Sequence, residues 1–530
     1  MQVINASQFQ NISKNQYSIY SEKSEDFLNT LVPNPELLSS WVENYQPFAF
    51  VLVHNQSGDV FLIRDHLGVR PLYYYYACEK LIFGNNIPDI LSHLPSLPKL
   101  FQPEIENSFS YIPIYTDNTL YENIHRVEPG HRICITVKGC ISKQAYWQLD
   151  SEGEELQYSN DKDYLDHFSE LLAESMRTSL GMKNKVAAEF SAGLDSSAIY
   201  CSAIEIGVKP ELFMHAALPK TDPAQRYKDN YEKAFIDHFQ ITNLHKLYIE
   251  DFDPIAVFKE YASWFAGAPP YSFYMFANNI HKAVVKAGHS ILLSGFGGDQ
   301  GVSHPVPTRF ILPSLIKQKQ YKQAWKELGT NDPFSTKRFL SKLFNFTKYS
   351  HPVLYDCVEW LQDRRKKSTN LKHPYRDTYV KNLRQAEWNF LQGPFSHEIR
   401  MRIEYSSIVS KKMGFEYRYP LLHPKLLSFF LSIPYTQKRK NNEGRALIKA
   451  YLERRLSSKI FEAYKKREGL DILASTYTLF KEKYEQGAFQ KEFGNLPYPQ
   501  YVKKKCPHLT MIKEIEAFML KHYLENKFKL

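Results

Sequence analysis

The chain has 530 residues, 43% of them hydrophobic and 23% charged, with a formal net charge of +10. This length allows two or three domains, and the composition excludes a disordered or fibrous protein. The six cysteines are scattered without paired spacing, which excludes a disulfide or zinc framework, and the longest apolar runs are too short to span a bilayer.

In chain order, the polar N-terminal segment lacks the apolar stretch of a signal peptide. The first 150 residues then read as β-rich. An apolar run, Phe48–His54, is followed by a turn cluster at 55–59 and a second strand, Val60–Arg64, which predicts a hairpin. Leu72–Ala77 and Leu81–Phe83 continue the pattern, and Arg132–Val137 begins another hairpin. Short strands separated by turns predict stacked sheet layers. A polar stretch at 150–161 marks a linker, and apolar residues then recur at helical spacing from Asp163 to Leu180. Beyond it strands alternate with helices: Lys185–Phe190, Leu194–Ile206, Leu212–Ala217, Tyr227–Phe239, Lys246–Ile249, helical segments Pro254–Phe265 and Phe273–Ala287, and Ile291–Ser294. That alternation predicts a doubly wound parallel sheet. From about residue 305 the chain reads helical, interrupted by prolines.

Two loops carry the chemistry. Ser191-Ala192-Gly193-Leu194-Asp195-Ser196-Ser197 follows one predicted strand and opens a helix. Free backbone N–H groups and the helix dipole there suit an anion. Ala192 and Gly193 let the backbone approach a pyrophosphate, while Ser191, Ser196 and Ser197 can donate to phosphate oxygens. A carboxylate in such a loop repels phosphate unless a cation lies between them, so Asp195 points to Mg²⁺. Ser294-Gly295-Phe296-Gly297-Gly298-Asp299 follows a second strand, where ligands bind in open α/β sheets. Asp299 is the second candidate for the same magnesium. No P-loop motif is present. The net charge fits an anionic partner, but the basic clusters lack interleaved aromatics, so neither nucleic acid nor membrane is expected as a partner.

The S-x-G-x-D-S loop followed by S-G-x-G-G-D resembles the ATP pyrophosphatase loops of the asparagine synthetase family. The likeness extends to Phe48-Ala49-Phe50 and Arg64-Asp65-His66-Leu67-Gly68-Val69-Arg70-Pro71-Leu72, which resemble the family's glutaminase domain. It also extends to Glu416-Tyr417-Arg418-Tyr419-Pro420-Leu421-Leu422 and Gly444-Arg445, which resemble its C-terminal helical half. The resemblance implies an N-terminal β-rich, glutaminase-like (Ntn-type) sandwich over 1–155. It also implies a C-terminal doubly wound ATP-pyrophosphatase α/β domain with a helical extension over 160–530. ATP and Mg²⁺ are the implied cofactors, held by Ser191, Ala192, Gly193, Asp195, Ser196, Ser294, Gly295, Phe296, Gly297 and Asp299, with Asp195 and Asp299 on the metal.

Three departures refine this reading. Glutamine-using members carry a cysteine nucleophile at residue 2; here the position is Gln2 and the first cysteine is Cys78. The glutaminase-like domain is therefore expected to be a relic that releases no ammonia. Phe296 stands where relatives carry Glu or Tyr and cannot move a proton. Glu404 resembles the Glu of the β-lactam synthetase dyad and is the candidate base. Lys466, with Lys465 as the alternative, resembles the family's loop lysine, which stabilises developing negative charge. His304 and His423 are expected to be structural.

A chain of this length without a nucleophile at residue 2 resembles the lasso-peptide macrolactam synthetase branch. That implies adenylation of an Asp or Glu side chain in a precursor peptide, and ring closure by the peptide's own N-terminal amine. A leader-binding protein and a protease are the implied partners, and the cytoplasm the implied location. A folded peptide substrate would need a large hollow between the two domains. An ammonia-dependent asparagine synthetase and a small-molecule amide or β-lactam synthetase are the alternatives.

Overall fold

A computed structural model describes residues 1–21, 47–328 and 382–461, short stretches within 341–354, 485–493 and 520–527, and residue 42. It breaks at 8, 15, 110–113, 182–184, 217–224, 249–252, 268, 270–274, 276, 395, 442 and 459. Two sheets form the N-terminal unit. The first has the order β1 (Gln2–Asn5), β7 (Lys80–Gly84), β6 (Tyr73–Ala77), β8 (Ile124–Arg126). The second runs β10 (Ile141–Ala145), β9 (His131–Ile135), β5 (Val60–Arg64), β4 (Ala49–His54), β3 (Tyr17–Ser21), β2 (Gln10–Lys14). The predicted 55–59 turn joins β4 to β5 in antiparallel register, Val53 opposite Val60.

Side-chain alternation stacks these sheets. Ala49, Val51, Val60 and Leu62 from one sheet meet Tyr74, Leu81 and Phe83 from the other in a shared core. Phe50, Leu52 and Ile63 point to the far face and build a second cluster. In β6 the same alternation sends Tyr74 into the sandwich and Tyr73 out of it. Tyr73 joins Ile82 and Ile124 against Val257, Phe258, Tyr261, Phe265 and Tyr405 of the second unit.

That second unit is a five-stranded parallel sheet, β13 (Leu244–Tyr248), β12 (Glu211–Ala216), β11 (Ala187–Glu189), β14 (Ile291–Leu293), β15 (Glu416–Arg418). Ala188, Leu212, Met214, Ile291 and Leu293 face a core with the helices Asp161–Leu180, Leu194–Glu205 and Ala446–Glu453. Ala187, Phe213, Leu292 and Tyr417 face the opposite core, with Asn278–Lys286 and His397–Met413. The chain moves from β11 outward to β12 and β13, then crosses back to β14. The topological switch point therefore falls between β11 and β14, where open α/β sheets bind ligands beyond the carboxyl ends of their strands.

The structure departs from sequence expectation in one place. The region after 305 is not wholly helical, because Glu416–Arg418 forms the fifth parallel strand, pairing Tyr417 with Leu292. The β-rich character expected of the first 150 residues extends into the polar first 21, where strands are carried by pairing with β4 and β7 rather than by their own apolar pattern. The linker is strapped down: Arg384 donates to the carbonyls of Asp150 (3.0 Å), Gly153 (2.7 Å) and Glu154 (2.9 Å). No helix among the described residues is long and apolar enough to cross a membrane.

Candidate functional site

The 191–197 loop leaves the end of β11 and opens the helix Leu194–Glu205 with Gly193 as its N-cap. Ala192 holds φ at 55°, a left-handed conformation uncommon for a residue with a Cβ and one that collects at functional loops. The amides of Ser191 and Gly193 converge on the Ser196 hydroxyl at 3.2 and 3.3 Å. Donors gathered this way at a helix N-terminus suit an anion.

The second loop leaves β14 and lies directly on that first turn. A Cβ at Gly295 would come within 2.9 Å of the Ser196 backbone nitrogen, and one at Gly298 would overlap the Asp195 carboxyl. Glycine is needed at both positions to let the loops interlock. Gly297 takes φ of 92° against Leu422.

The interlock brings the two metal candidates together. Burial and the facing Asp299 carboxylate push the Asp195 carboxyl up to about 7, against the opposing pull of the Ser303 hydroxyl and Arg445. Its Oδ1 is enclosed and has no hydrogen-bond partner. Asp299 is exposed and holds Arg445 at 2.6 Å. Two neighbouring carboxylates, one with an orphaned buried oxygen, fit Mg²⁺, which takes one or two carboxylates plus phosphate oxygens and water. Among the described residues no group of three or more His, Cys, Asp or Glu side chains forms a closed metal cage.

Phe296 is half-buried, edge-on to Tyr419 (6.1 Å between ring centroids), with the Arg402 guanidinium 5.7 Å from its ring centroid. Beneath it, Glu189 at the end of β11 accepts from the Tyr417 hydroxyl at 2.7 Å and from the Ser294 hydroxyl at 2.5 Å. Sequence reading passed over Glu189, although a lone carboxylate ending an otherwise apolar strand was the signal.

Glu404 is corrected: the structure does not bring it to the loops. It is 1% exposed and faces the N-terminal unit. Its Oε1 accepts from Tyr73 at 2.7 Å and meets Arg126 at 3.3 Å, while its Oε2 accepts from Tyr115 at 2.5 Å and from Arg64 at 3.3 Å. Burial alone would raise this carboxyl, but Arg126, Arg64 and the two hydroxyls outweigh it and hold the group below the ordinary carboxylate range. A carboxylate so committed does not suit a base. The cause is helical geometry: residues two apart lie about 200° apart around the axis, so Arg402 faces the loops and Glu404 faces away. The described contact between the units is packed at this point rather than hollow. Lys465 and Lys466 lie outside the described residues. His423 caps the helix Pro424–Ser432, and His304 lies buried, stacked on Phe310, with burial pushing its imidazole down to about 3.

An open parallel sheet with two interlocked glycine loops at its switch point defines a doubly wound α/β protein. The family model described as asparagine synthase matches residues 167–481, and the chain belongs to that family. A glutamine amidotransferase domain model matches residues 43–147. A Methanocaldococcus jannaschii protein described as a putative asparagine synthetase [glutamine-hydrolyzing] 2 is 25% identical over 259 residues, covering 48% of each chain. The Bacillus subtilis asparagine synthetase [glutamine-hydrolyzing] 2 is 25% identical over 269 residues, covering 48% of this chain and 35% of that one. The chain thus spans about half or less of the length of these curated relatives. A solved glutamine phosphoribosylpyrophosphate amidotransferase from B. subtilis, complexed with ADP and GMP, aligns with 39% of this chain and 48% of its own at 11% identity. Its TM-score is 0.16, too low to carry an argument.

Proposed function

We propose that the chain is an ATP-dependent amide ligase that adenylates a side-chain carboxylate and joins it to an amine. The observation that carries this reading is the pairing of Asp195, with its orphaned buried oxygen, and Asp299 between two interlocked strand-end loops. In this scheme the N-terminal turn of the helix Leu194–Glu205 and the hydroxyls of Ser191 and Ser196 bind the triphosphate. Asp195 and Asp299 would hold magnesium, which when bound would supply neutralisation of phosphate charge. The substrate carboxylate displaces pyrophosphate at the α-phosphorus. An amine then attacks the acyl-adenylate and AMP departs. Lys466, or Lys465, is assigned to the developing negative charge.

We infer further that glutamine is not hydrolysed and that the amine belongs to a peptide, closing a macrolactam on its own Asp or Glu side chain. Gln2 supports the first point: its carboxamide is no nucleophile, and its backbone nitrogen is committed to the Glu79 carbonyl at 2.8 Å within the β1–β7 pairing. Phe296 supports the second. An apolar residue between the glycines suits a substrate whose two reacting ends are held together, because proximity replaces part of the acceleration a strong base would provide. In this reading a leader-binding protein and a protease act before ring closure.

The test is pyrophosphate exchange into ATP, measured with aspartate, glutamate, and a peptide bearing a free N-terminal amine and an Asp or Glu side chain. Peptide-dependent exchange with loss of one water mass from the peptide is expected. Exchange with aspartate plus ammonium, yielding asparagine, would replace the peptide reading with the amino-acid one. No exchange with any carboxylate would contradict the ligase reading.

A further inference from the structure

Phe296 cannot move a proton and Glu404 faces the other unit, so the amine's proton needs another acceptor. Glu189 ends the central strand one residue past the Ala188–Leu293 pairing, at the mouth of the switch point and on the sheet face opposite the helix Leu194–Glu205. A carboxylate closing an apolar strand is costly to bury unless it is hydrogen-bonded.

Glu189 is held firmly. Its Oε1 accepts from Tyr417 at 2.7 Å and stands 3.7 Å from Arg402, and its Oε2 accepts from Ser294. A carboxylate can accept about four hydrogen bonds, so these partners leave capacity on a side chain that is 19% exposed. The donors have a fixed direction. Tyr417 gives its single proton to Glu189 and takes one from His281 Nε2, 2.7 Å away. Burial holds His281 neutral, pushed down to about 3, and its Nδ1, which carries no proton in this tautomer, has no hydrogen-bond partner. Ser294 begins the second glycine loop and also accepts from the Phe296 amide at 3.2 Å, so the carboxylate is tied to the nucleotide loop itself.

We propose that Glu189 is the group that receives the incoming amine and takes its proton. The step balances: the nitrogen lone pair forms the C–N bond at the acyl-adenylate carbonyl carbon. The C–O bond to the AMP phosphate breaks with its electrons leaving on AMP, and the proton lost by nitrogen passes to the Glu189 carboxylate. Tyr417 and His281 are positioning residues that hold the Glu189 Oε1. This assignment rests on the amide-ligase reading and names its base.

The test separates adenylation from amide formation. With whichever of aspartate, glutamate or the peptide supports exchange in the wild type, Glu189→Gln is expected to keep pyrophosphate exchange within about 3-fold and to lose amide formation by at least about 100-fold. Hydroxylamine, uncharged near neutral pH, should still trap the acyl-adenylate as a hydroxamate in that variant. Tyr417→Phe, which keeps the ring, should lower amide formation by about 10-fold and displace its pH profile while leaving exchange unchanged. Amide formation at the wild-type rate in Glu189→Gln overturns the proposal. So does equal loss of exchange, hydroxamate and amide together, which marks a structural role. A wild type inert with every carboxylate instead overturns the ligase reading, and does so before any variant is made.

Discussion

A carboxyl group held near 7 by burial and a facing carboxylate makes Asp195 sensitive to pH and to cations. Its folded-state value lies above the ordinary 3.8, so its contribution to stability is complete below 3.8 and is lost as pH rises through about 7. Without divalent ions, Tm should therefore fall between about pH 5 and pH 8. Magnesium should offset most of that fall, and Asp195→Asn should flatten it. Differential scanning fluorimetry across that range reads all three effects. Glu404 behaves in the opposite way. It is the buried counter-ion of Arg64 and Arg126, and Glu404→Gln removes the carboxylate from the Arg64 guanidinium at a sealed contact and leaves Arg126 only Glu104 as an ion-pair partner. A loss of about 3–5 kcal/mol is expected in chemical denaturation. A variant as stable as wild type would show that the cluster does not clasp the units. The residue types of the site were legible from sequence, but their directions were not. Glu404 was chosen for its place in a motif, whereas the turn of its helix decides what it meets.

Among elements, the two loops are the part most readable in advance. Each follows a short strand, each opens on small residues, and each carries one carboxylate, so both were legible as strand-end loops where an open α/β sheet binds ligands. The interlock itself was not readable, because it depends on the absence of a Cβ at Gly295 and Gly298 against one particular helix turn. Gly298→Ala is accordingly expected to weaken Mg·ATP binding by at least about 10-fold while moving Tm little, since the collision is with the Asp195 carboxyl and not with the core. Isothermal titration of the variant checks it, and wild-type affinity would contradict the close approach. The strand Glu416–Arg418 escaped sequence reading for a different reason. Three residues with two charges show no period, and only their insertion beside β14 makes them a strand. Strands β1 to β3 are likewise products of pairing rather than of local pattern.

At the scale of the whole molecule, the two units share an apolar seam and an ion cluster. Tyr73, Ile82 and Ile124 of the sandwich are packed with Tyr261, Phe265 and Tyr405, and the Tyr121 hydroxyl donates to the Ala266 carbonyl at 2.8 Å. Arg384 and Trp388 add bonds to the carbonyls of the linker region, Trp388 to Leu149 at 3.0 Å. The N-terminal unit thus braces the helix His397–Met413 from the side opposite the loops. Calorimetry should record one unfolding transition for the two units, and two well-separated transitions would contradict the brace. The account depends above all on Asp195 and Asp299 gripping one nucleotide through a shared cation. Isothermal titration of ATP with and without magnesium, in the wild type and in Asp195→Asn and Asp299→Asn, tests this most directly. The account predicts tight binding only for the wild type with magnesium, weakened at least about 100-fold by either substitution or by chelation. Equal binding in chelator, or variants that bind ATP as the wild type does, would contradict it.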